Sequence, residues 1–331
     1  MKAMMIHEFG SADKFHLAGL PTPSPGKRQA LIRVRASSVN PIDLKIRSGL
    51  VPAAAPDFPA VLNVDVAGEV LEIGSEVSGV KVGDRVAAMG GGVKGHDGAL
   101  SEMMRVDADL LAKIPEGVTY ENAAAMPVVG LTSWEALVNR GKIESGQKVL
   151  IHGGAGGVGH MAVQLAAALG AEVTATVSGS EKAEIAERMG AHYIVNYKEQ
   201  SVKEYVQEIT GGKGFDIIVD TVGGSNLDKS FEAAALSGAV ITTNTRSTND
   251  LSLMHGKGLT LHVVFLLLPL LFAKGKKEAG ENLEKLLRLV EENKISPMIY
   301  HRTFGFSEIK LAHELVEKGG YFGKISLVND L

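Results

Sequence analysis

The feature that most restricts the fold is a glycine-rich segment between two apolar stretches. Lys148–His152 has the length and composition of a short buried strand, and Val158–Leu169 has the spacing of an amphipathic helix. The segment between them matches the pattern G-x-G-x-x-G, with the residues Gly154, Ala155, Gly156, Gly157, Val158 and Gly159. A strand, a glycine turn and a helix in this order form the phosphate-binding corner of a doubly wound sheet. The sequence therefore predicts a dinucleotide-binding unit.

The three motif glycines have different predicted roles. Gly154 permits the tight turn, Gly156 lets the backbone approach a pyrophosphate, and Gly159 lets the helix pack close to the strand. The N-terminus of the helix adds amide donors and the positive end of a dipole. Since glycine-rich loops are common, a turn without a ligand is the alternative.

Strands and helices alternate after this motif. The predicted strands are Glu172–Val177, Tyr193–Asn196, Phe215–Val219 and Ala239–Thr243, and the predicted helices are Glu181–Met189, Val202–Ile209 and Leu227–Leu236. This alternation is typical of a parallel, doubly wound sheet. Residues 1 to about 120 instead form short β-rich stretches between Pro and Gly clusters, and strand–helix–strand material returns from Lys277 onwards. We expect a β-rich domain, an inserted α/β domain, and a C-terminal segment that rejoins the first.

The end of the second predicted strand indicates which dinucleotide fits. NAD sites place an acidic residue there to bind the ribose 2′-hydroxyl. Here the strand runs into Val177, Ser178, Gly179 and Ser180, without an acid at its tip. A hydroxyl at Ser178 and a cation at Lys182 suit a 2′-phosphate, which favours NADP(H) over NAD(H). The alternative for Lys182 is a solvated helix charge.

Composition excludes several classes of protein. The chain has no cysteine, which rules out disulfides, iron–sulfur clusters, thiolate zinc sites and cysteine nucleophiles. A net charge of −4 is a poor electrostatic match for nucleic acid. The apolar stretch Leu259–Phe272 contains His262 and Pro269 and is shorter than the about 20 residues of a spanning helix. It predicts a buried strand followed by an apolar loop, and we expect a cytoplasmic protein with neither a nucleic-acid nor a membrane partner.

Several further stretches resemble the medium-chain dehydrogenase/reductase superfamily, most closely its zinc-free quinone oxidoreductase branch. The matching stretches, in an order and spacing that agree over essentially the whole chain, are Ala36–Gly49, Asp65–Val70, Val82–Val86, Gly130–Leu137, His152–Ala166, Ile194–Tyr197, Asp220–Gly224 and Gly323–Leu327. The resemblance implies a Rossmann domain at residues 123–269, inserted in a GroES-like β-rich domain made of residues 1–122 and 270–331. It places the active site in the cleft between them.

The resemblance also assigns residues to the cofactor. It implies that Lys182 and Tyr197 contact the 2′-phosphate of NADPH, that Thr132 lies near the nicotinamide amide, and that Lys324 reaches the cofactor from the other domain. Asp220 ends a predicted strand, where it would either face the cofactor or cap the next turn. Arg246 stands where the family more often has glycine, which puts the shape of that cofactor loop in doubt.

Zinc ligands are missing from the places where the alcohol dehydrogenase branch has them. By resemblance, those places are occupied by Asn40 and Val64, with the third close to Val129. His96, beside Asp97 in a glycine-rich loop, is the best remaining metal-ligand candidate, with a surface loop histidine as the alternative. A reaction without a metal is therefore expected, in which the substrate itself stabilises the charge that develops.

Quinones and α,β-unsaturated carbonyl compounds (enones and alkenals) meet that requirement. Asn40 and Asp43 match the N-x-x-D motif at the family's active site, and Lys45 stands where many quinone reductases have tyrosine. Asn40 would line the site as an amide donor, and Lys45 would protonate an enolate or stabilise an oxyanion. The alternatives are a helix-capping or ion-paired Asp43 and a solvated Lys45.

Two other functional classes stay open at this point. One is a non-catalytic NADPH-binding redox sensor or scaffold, and the other is a zinc-free polyol or alcohol dehydrogenase. An apolar segment at Leu259–Leu267 is also expected to form the edge strand of the sheet. An open apolar edge promotes aggregation, so we expect two copies to pair through it as a homodimer, with a fold-back of the following leucines as the alternative.

Overall fold

The computed structural model describes all 331 residues and divides into two compact units. Unit 1 comprises Met1–Leu131, Leu266–Asn293 and Pro297–Leu331, and unit 2 comprises Thr132–Phe265 and Lys294–Ser296. The predicted domain boundaries, after residues 122 and 269, therefore differ from the observed ones.

The first boundary lies later in the chain because residues up to Leu131 pack in unit 1. The backbone N–H of Val128 donates to Oδ1 of Asp65 at 2.9 Å. A Cβ added to Gly130 would lie 3.1 Å from Cδ1 of Leu286. Both partners belong to unit 1.

Unit 1 is built around two sheets. The smaller sheet has the strand order His16–Gly19, Lys2–Ile6 and Ala60–Val61. The larger has the order Phe304–Gly305, Ile325–Val328, Gln29–Val39, Asp65–Ile73, Arg85–Met89 and Ala112–Lys113, with Met103–Asp107 also paired to Gln29–Val39. All pairs are antiparallel except the first pair of the larger sheet. The helices are Pro41–Arg47, Tyr120–Ala124, Leu268–Phe272, Lys276–Glu291 and Ile309–Lys318, and the helix Pro127–Trp134 begins in unit 1 and ends in unit 2.

The long strand Gln29–Val39 positions the polar residues of unit 1. Its middle, from Ile32 to Ala36, alternates buried and exposed side chains, as expected for a sheet with one solvated face. Its last four residues are all buried, and they include Ser37 and Ser38. The chain therefore enters Asn40 and the helix Pro41–Arg47 from inside the unit.

Unit 2 is a six-stranded parallel sheet. Its strand order is Tyr193–Asn196, Glu172–Val177, Lys148–His152, Phe215–Asp220, Ala234–Thr242 and Thr260–Val263. Numbered along this unit, the order is the 3-2-1-4-5-6 of a Rossmann fold. The helices are Gly157–Ala168, Ser180–Arg188, Val202–Thr210, Asn226–Ala233 and Ser252–Lys257, with a π-helix at Glu135–Arg140. The predicted fold class is confirmed.

Both faces of this sheet are covered, as is typical of parallel sheets. Val149, Leu150 and Ile151 of the central strand have no exposed surface, so both faces of the strand are covered. On one face, Leu150 and Ile218 pack in a cluster with Tyr205 and Phe231. Helices Val202–Thr210 and Asn226–Ala233 supply those aromatic rings.

The predictions for the last strand were partly wrong. The strand is Thr260–Val263 rather than Leu259–Leu267, and Thr260 and Val263 are exposed because this strand ends the sheet. The predicted apolar loop contains a short helix, Leu268–Phe272, with Pro269 in its first turn. No helix is both long enough and apolar enough to span a bilayer.

Candidate active site

The glycine loop of unit 2 directly follows the central strand Lys148–His152. The left-handed backbone conformation belongs to Gly153 (φ +74°) and not to Gly154, so the predicted role of Gly154 in the turn is corrected. Gly154 is required for packing instead, since a Cβ there would lie 2.6 Å from Cβ of Ala175 on the neighbouring strand.

The other two motif glycines shape the start of the helix Gly157–Ala168. A Cβ at Gly159 would overlap the carbonyl O of Gly153, so only glycine permits this packing. A Cβ at Gly156, the N-cap residue, would meet only the carbonyl O of Gly153, at 3.2 Å. The space beside Gly156 is therefore open. The first N–H groups of the helix have no acceptor within it and carry a positive partial charge, so the loop can hold a pyrophosphate.

The candidate 2′-phosphate residues lie at the end of the next strand, Glu172–Val177. The N–H of Tyr197 donates to the carbonyl O of Val177 at 3.2 Å, which places Tyr197 beside Ser178. Ser178 is half-buried and the Tyr197 side chain is exposed. Lys182 is the third residue of the helix Ser180–Arg188. The strand ends without a carboxylate, and this corner offers hydroxyl groups and an ammonium instead.

Asp220 caps a turn. Its Oδ1 accepts hydrogen bonds from the N–H groups of Val222 (2.9 Å) and Gly223 (2.8 Å), and its Oδ2 accepts one from Oγ of Ser230 (3.0 Å). The residue has no exposed surface. Of the two roles considered for Asp220, these contacts support the cap, because both carboxylate oxygens are already bound.

Three other residues of unit 2 complete its candidate site residues. Thr132 is buried near the end of the helix Pro127–Trp134, and Arg246 is exposed in the loop after Ala234–Thr242. His152, which the sequence analysis did not single out, is buried immediately before the glycine loop, with Nδ1 3.2 Å from Oγ1 of Thr176. Burial lowers the pKa of His152 to about 4, so its ring is neutral at physiological pH.

In unit 1, Asn40 and Asp43 form the start of the helix Pro41–Arg47. Asn40 is the N-cap residue of this helix. The backbone N–H of Asn40 donates a hydrogen bond to Oδ2 of Asp43 at 2.8 Å. Oδ1 of Asp43 accepts a second one from the N–H of Val64 at 3.2 Å. Burial raises the pKa of Asp43 to about 7, and the nearby Asp65 carboxylate acts in the same direction. Asp43 thus holds the helix start as a capping residue does.

The side chain of Asn40 belongs to a buried polar network. Its Nδ2 donates to Oδ2 of Asp65 at 2.7 Å, and its Oδ1 accepts a hydrogen bond from Nζ of Lys324. Asp65 also accepts from Oγ of Ser38 at 2.6 Å and from the N–H of Val128 at 2.9 Å. We call Ser38, Asn40, Asp65 and Lys324 the Asn40 network.

The Asn40 network and Asp43 place charge in the interior of unit 1. Asn40 is 1% exposed, Lys324 is 3% exposed, and Asp65 has no exposed surface. Burial lowers the pKa of Lys324, and the charges of Asp65 and Asp43 oppose that change. A buried ammonium is therefore compensated by two buried carboxyl groups.

The structure brings together only some of the predicted catalytic residues. Asn40, Asp43 and Lys324 lie together, whereas Lys45 is exposed on the helix Pro41–Arg47 and takes no part in the network. Sequence reasoning did not select Asp65 as a site residue. The available signal was an acidic side chain between two valines, Val64 and Val66, at the start of the strand Asp65–Ile73.

The residues at the places of the zinc ligands do not fit a zinc ion. Val64 and Val129 are buried aliphatic side chains, and Asn40 is occupied by the network described above. No group of three or more His, Cys, Asp or Glu side chains is arranged to hold a metal ion. The remaining candidate, His96, has Nε2 2.9 Å from the carbonyl O of Leu270.

The fold and these residues define the class of the protein. A Rossmann unit carrying the dinucleotide loop, together with a β-rich unit drawn from both ends of the chain, is the organisation of medium-chain dehydrogenases/reductases. Two family models agree, one described as "Alcohol dehydrogenase GroES-like domain" over residues 26–116 and one as "Zinc-binding dehydrogenase" over residues 157–266. Although the second model is described as zinc-binding, the residues that it matches do not include Asn40, Val64 or Val129, the places that correspond to zinc ligands.

Comparison with individual proteins narrows the class. A quinone oxidoreductase of Pseudomonas aeruginosa is 33% identical over 318 residues, which are 94% of each chain. A 2-haloacrylate reductase of a Burkholderia species is 36% identical over 233 residues, 70% of this chain and 69% of that protein. The chain belongs to the quinone oxidoreductase family of the medium-chain dehydrogenase/reductase superfamily, as its sequence predicted.

Solved structures support the same assignment. An alcohol dehydrogenase superfamily protein from Novosphingobium aromaticivorans has a TM-score of 0.94 and 38% identity, with 99% of each chain covered. The Escherichia coli quinone oxidoreductase complexed with NADPH has a TM-score of 0.88 and 28% identity, covering 99% of this chain and 100% of that one.

Proposed function

We propose that this chain is an NADPH-dependent reductase that acts without zinc on quinones or α,β-unsaturated carbonyl compounds. The observation that carries the proposal is the dinucleotide corner of unit 2, with its open glycine loop and its acid-free strand end. The name of the E. coli relative's structure includes NADPH, and the name of the Burkholderia relative specifies reduction of an activated alkene. Both fit the chemistry proposed here.

The residues of unit 2 would hold NADPH at two points. The open space beside Gly156 and the helix N-terminus suit the pyrophosphate. Ser178, Lys182 and Tyr197 offer two hydroxyl groups and a cation for the 2′-phosphate. When bound, NADPH supplies a hydride.

The donor groups of unit 1 suit an acceptor that carries its own electron sink. Because Asn40, Val64 and Val129 cannot form a zinc ligand set, the oxygen of the substrate must be stabilised by hydrogen-bond donors. The Asn40 carboxamide is such a donor. Lys45, exposed on the adjoining helix, can deliver a proton to the enolate or hydroquinone anion after hydride transfer.

A substrate panel tests this function. Purified protein is given NADPH with a naphthoquinone, NADPH with a 2-alkenal, or NADP⁺ with a primary alcohol. The near-ultraviolet absorbance of NADPH is followed in each reaction. We expect turnover with the first two and none with the alcohol, unchanged after dialysis against a chelator. Stoichiometric zinc in the protein, with activity lost on its removal, would contradict the proposal. Tight NADPH binding without turnover of any acceptor would indicate the non-catalytic sensor or scaffold.

We also propose that two copies pair through the strand Thr260–Val263, in a cytoplasmic protein. The strand ends the sheet, and Val263 and Phe265 are each 49% exposed beside it. The N–H of Val264 donates inward to the carbonyl O of Thr242 at 2.9 Å. Since ladder donors alternate along a strand, the N–H groups of Leu261 and Val263 point outward. The cysteine-free composition supports a reducing compartment.

A further inference from the structure

The ammonium group of Lys324 has three N–H donors, and the protein itself occupies all three. Its Nζ contacts Oδ1 of Asn40, the carbonyl O of Val39 at 3.2 Å and Oδ2 of Asp65 at 3.5 Å. Only 3% of the residue is exposed. An ammonium has no further donor, so Lys324 has none left for a cofactor, contrary to what the family resemblance implies.

The same contacts determine the orientation of the Asn40 carboxamide. Its oxygen faces Lys324, which can only donate, and its nitrogen faces the Asp65 carboxylate, which can only accept. The flipped carboxamide would place an NH₂ against an ammonium and a carbonyl against a carboxylate. Nδ2 carries two hydrogens and makes one hydrogen bond, so its second hydrogen is fixed in direction without being bound.

Lys324 also changes the strength of that donor. A cation hydrogen-bonded to an amide oxygen withdraws electron density from the amide nitrogen, and hydrogen bonds in a chain polarise one another. Burial strengthens the effect, because water does not screen it. The Asn40 N–H is therefore a stronger donor toward an anionic oxygen than an isolated amide would be.

Stability alone does not account for this arrangement. Buried ion pairs are often replaceable by apolar residues with no loss of stability, although removing one partner is strongly destabilising. A network that commits Lys324, Asp65 and Ser38 to one carboxamide is better explained by the need to hold that carboxamide in place.

We propose that Lys324 and Asp65 are positioning residues that fix and polarise the Asn40 carboxamide toward the substrate oxygen, and that Lys324 does not bind the cofactor. This inference rests on the proposed reductase function for the catalytic part, whereas the part concerning the cofactor does not depend on it. Asn40 is the donor, and Lys324 and Asp65 act through it. No bond is broken within the network and no proton leaves it.

The test compares Lys324→Met with Lys182→Ala, and Lys318→Met serves as an exposed control on the preceding helix. NADPH affinity is measured by fluorescence titration, and kcat by turnover at saturating cofactor. For Lys324→Met we expect a Kd for NADPH within about twofold of the original and a kcat lowered about 10–100-fold, as for loss of an oriented oxyanion donor. Lys182→Ala should show the reverse pattern.

Two further variants separate positioning from folding. Lys324→Met combined with Asp65→Asn removes the Lys324 and Asp65 charges together, so neither is left buried without the other. The double variant should have a Tm close to that of the original protein and should keep the low kcat. Lys324→Arg, by contrast, should recover part of the lost kcat. Adding Lys324→Met to Asn40→Ala should cause no further loss, because Lys324 acts through Asn40.

The outcomes distinguish this inference from the proposed function. A Kd for NADPH raised about tenfold or more in Lys324→Met, with kcat retained, would overturn it in favour of a cofactor contact. If the original protein reduces no acceptor, the reductase proposal fails, and the affinity of Lys324→Met still decides the role of Lys324. In that case the NMR signals of the Asn40 side-chain NH₂ group, assigned by their loss in Asn40→Ala, should still shift in Lys324→Met. Unmoved signals would refute the positioning role.

Discussion

Two buried groups of unit 1 have pKa values displaced in opposite directions. Burial lowers the pKa of His313 to about 3, and the neighbouring Arg47 guanidinium acts in the same sense. Burial raises the pKa of Asp43 to about 7. Between about pH 4 and pH 6.5, an unfolded chain binds a proton at histidine and not at aspartate. The folded chain does the opposite, so folding releases one proton at His313 and takes up one at Asp43.

The two linkages should nearly cancel in the original protein. As the pH falls, the His313 contribution lowers the free energy of unfolding by about 1.4 kcal/mol per pH unit, and the Asp43 contribution raises it by a similar amount. When one of the two groups is replaced, the free energy of unfolding varies with pH according to the other group alone. His313→Leu is well suited, because neither ring nitrogen has a hydrogen-bond partner and the substitution breaks none.

We expect His313→Leu to gain stability relative to the original protein as the pH falls from about 6 to about 5. The gain of about 1.4 kcal/mol corresponds to a rise of about 3–6 °C in relative Tm for a unit of this size. Asp43→Asn should show the opposite change. Scanning calorimetry at the two pH values measures both. If the Tm difference between His313→Leu and the original protein is the same at both pH values, the assignment of a neutral buried His313 is refuted.

Three other outcomes test the candidate site. Lys182→Ala should raise the KM for NADPH about 10–150-fold and leave the KM for NADH nearly unchanged. An equal rise in KM for both cofactors would show that Lys182 does not bind the 2′-phosphate. Lys203→Ala, which replaces another exposed helix lysine, is the control. Gly159→Ala should abolish NADPH binding, because its Cβ would overlap the Gly153 carbonyl; retained affinity in a titration would contradict this. Val263→Pro should convert a dimer of the protein into a monomer by light scattering, since it removes an outward donor, and a monomeric original protein would refute the dimer.

The sequence was informative wherever function depends on residues close together in the chain. The glycine motif, the alternation of strands and helices, and the acid-free strand end at Ser178 all arise within short segments. They predicted the Rossmann unit, and the resemblance predicted the family. Local patterns were less accurate at element ends. The helix predicted over Leu227–Leu236 stops at Ala233, because Ala234 already pairs with Phe215 of the neighbouring strand.

The Asn40 network could not be predicted in this way. Lys324 and Asn40 are 284 residues apart in the chain, and Lys324 and Asp65 are 259 apart. They meet because Ile325 pairs with Val39, and Asp65 pairs with Ser38, through antiparallel strand pairs of the larger sheet. A shift of one residue in either register would turn the side chains to the opposite face. Such a register depends on the packing of the whole unit and leaves no local signal in the sequence.

This long-range pairing has a consequence for synthesis on the ribosome. The strand Gln29–Val39 emerges early, but its neighbour Ile325–Val328 is translated only after all of the main segment of unit 2. At about 5–20 residues per second, the 284 residues between Asn40 and Lys324 take roughly 15–60 s to add. During that time Asp65 and Asn40 lack their ammonium partner, and the last four residues of the strand, Ala36 to Val39, lack the neighbour that Ile325–Val328 later supplies. The Rossmann unit can fold while the nascent chain waits, so the β-rich unit begins first and is completed last.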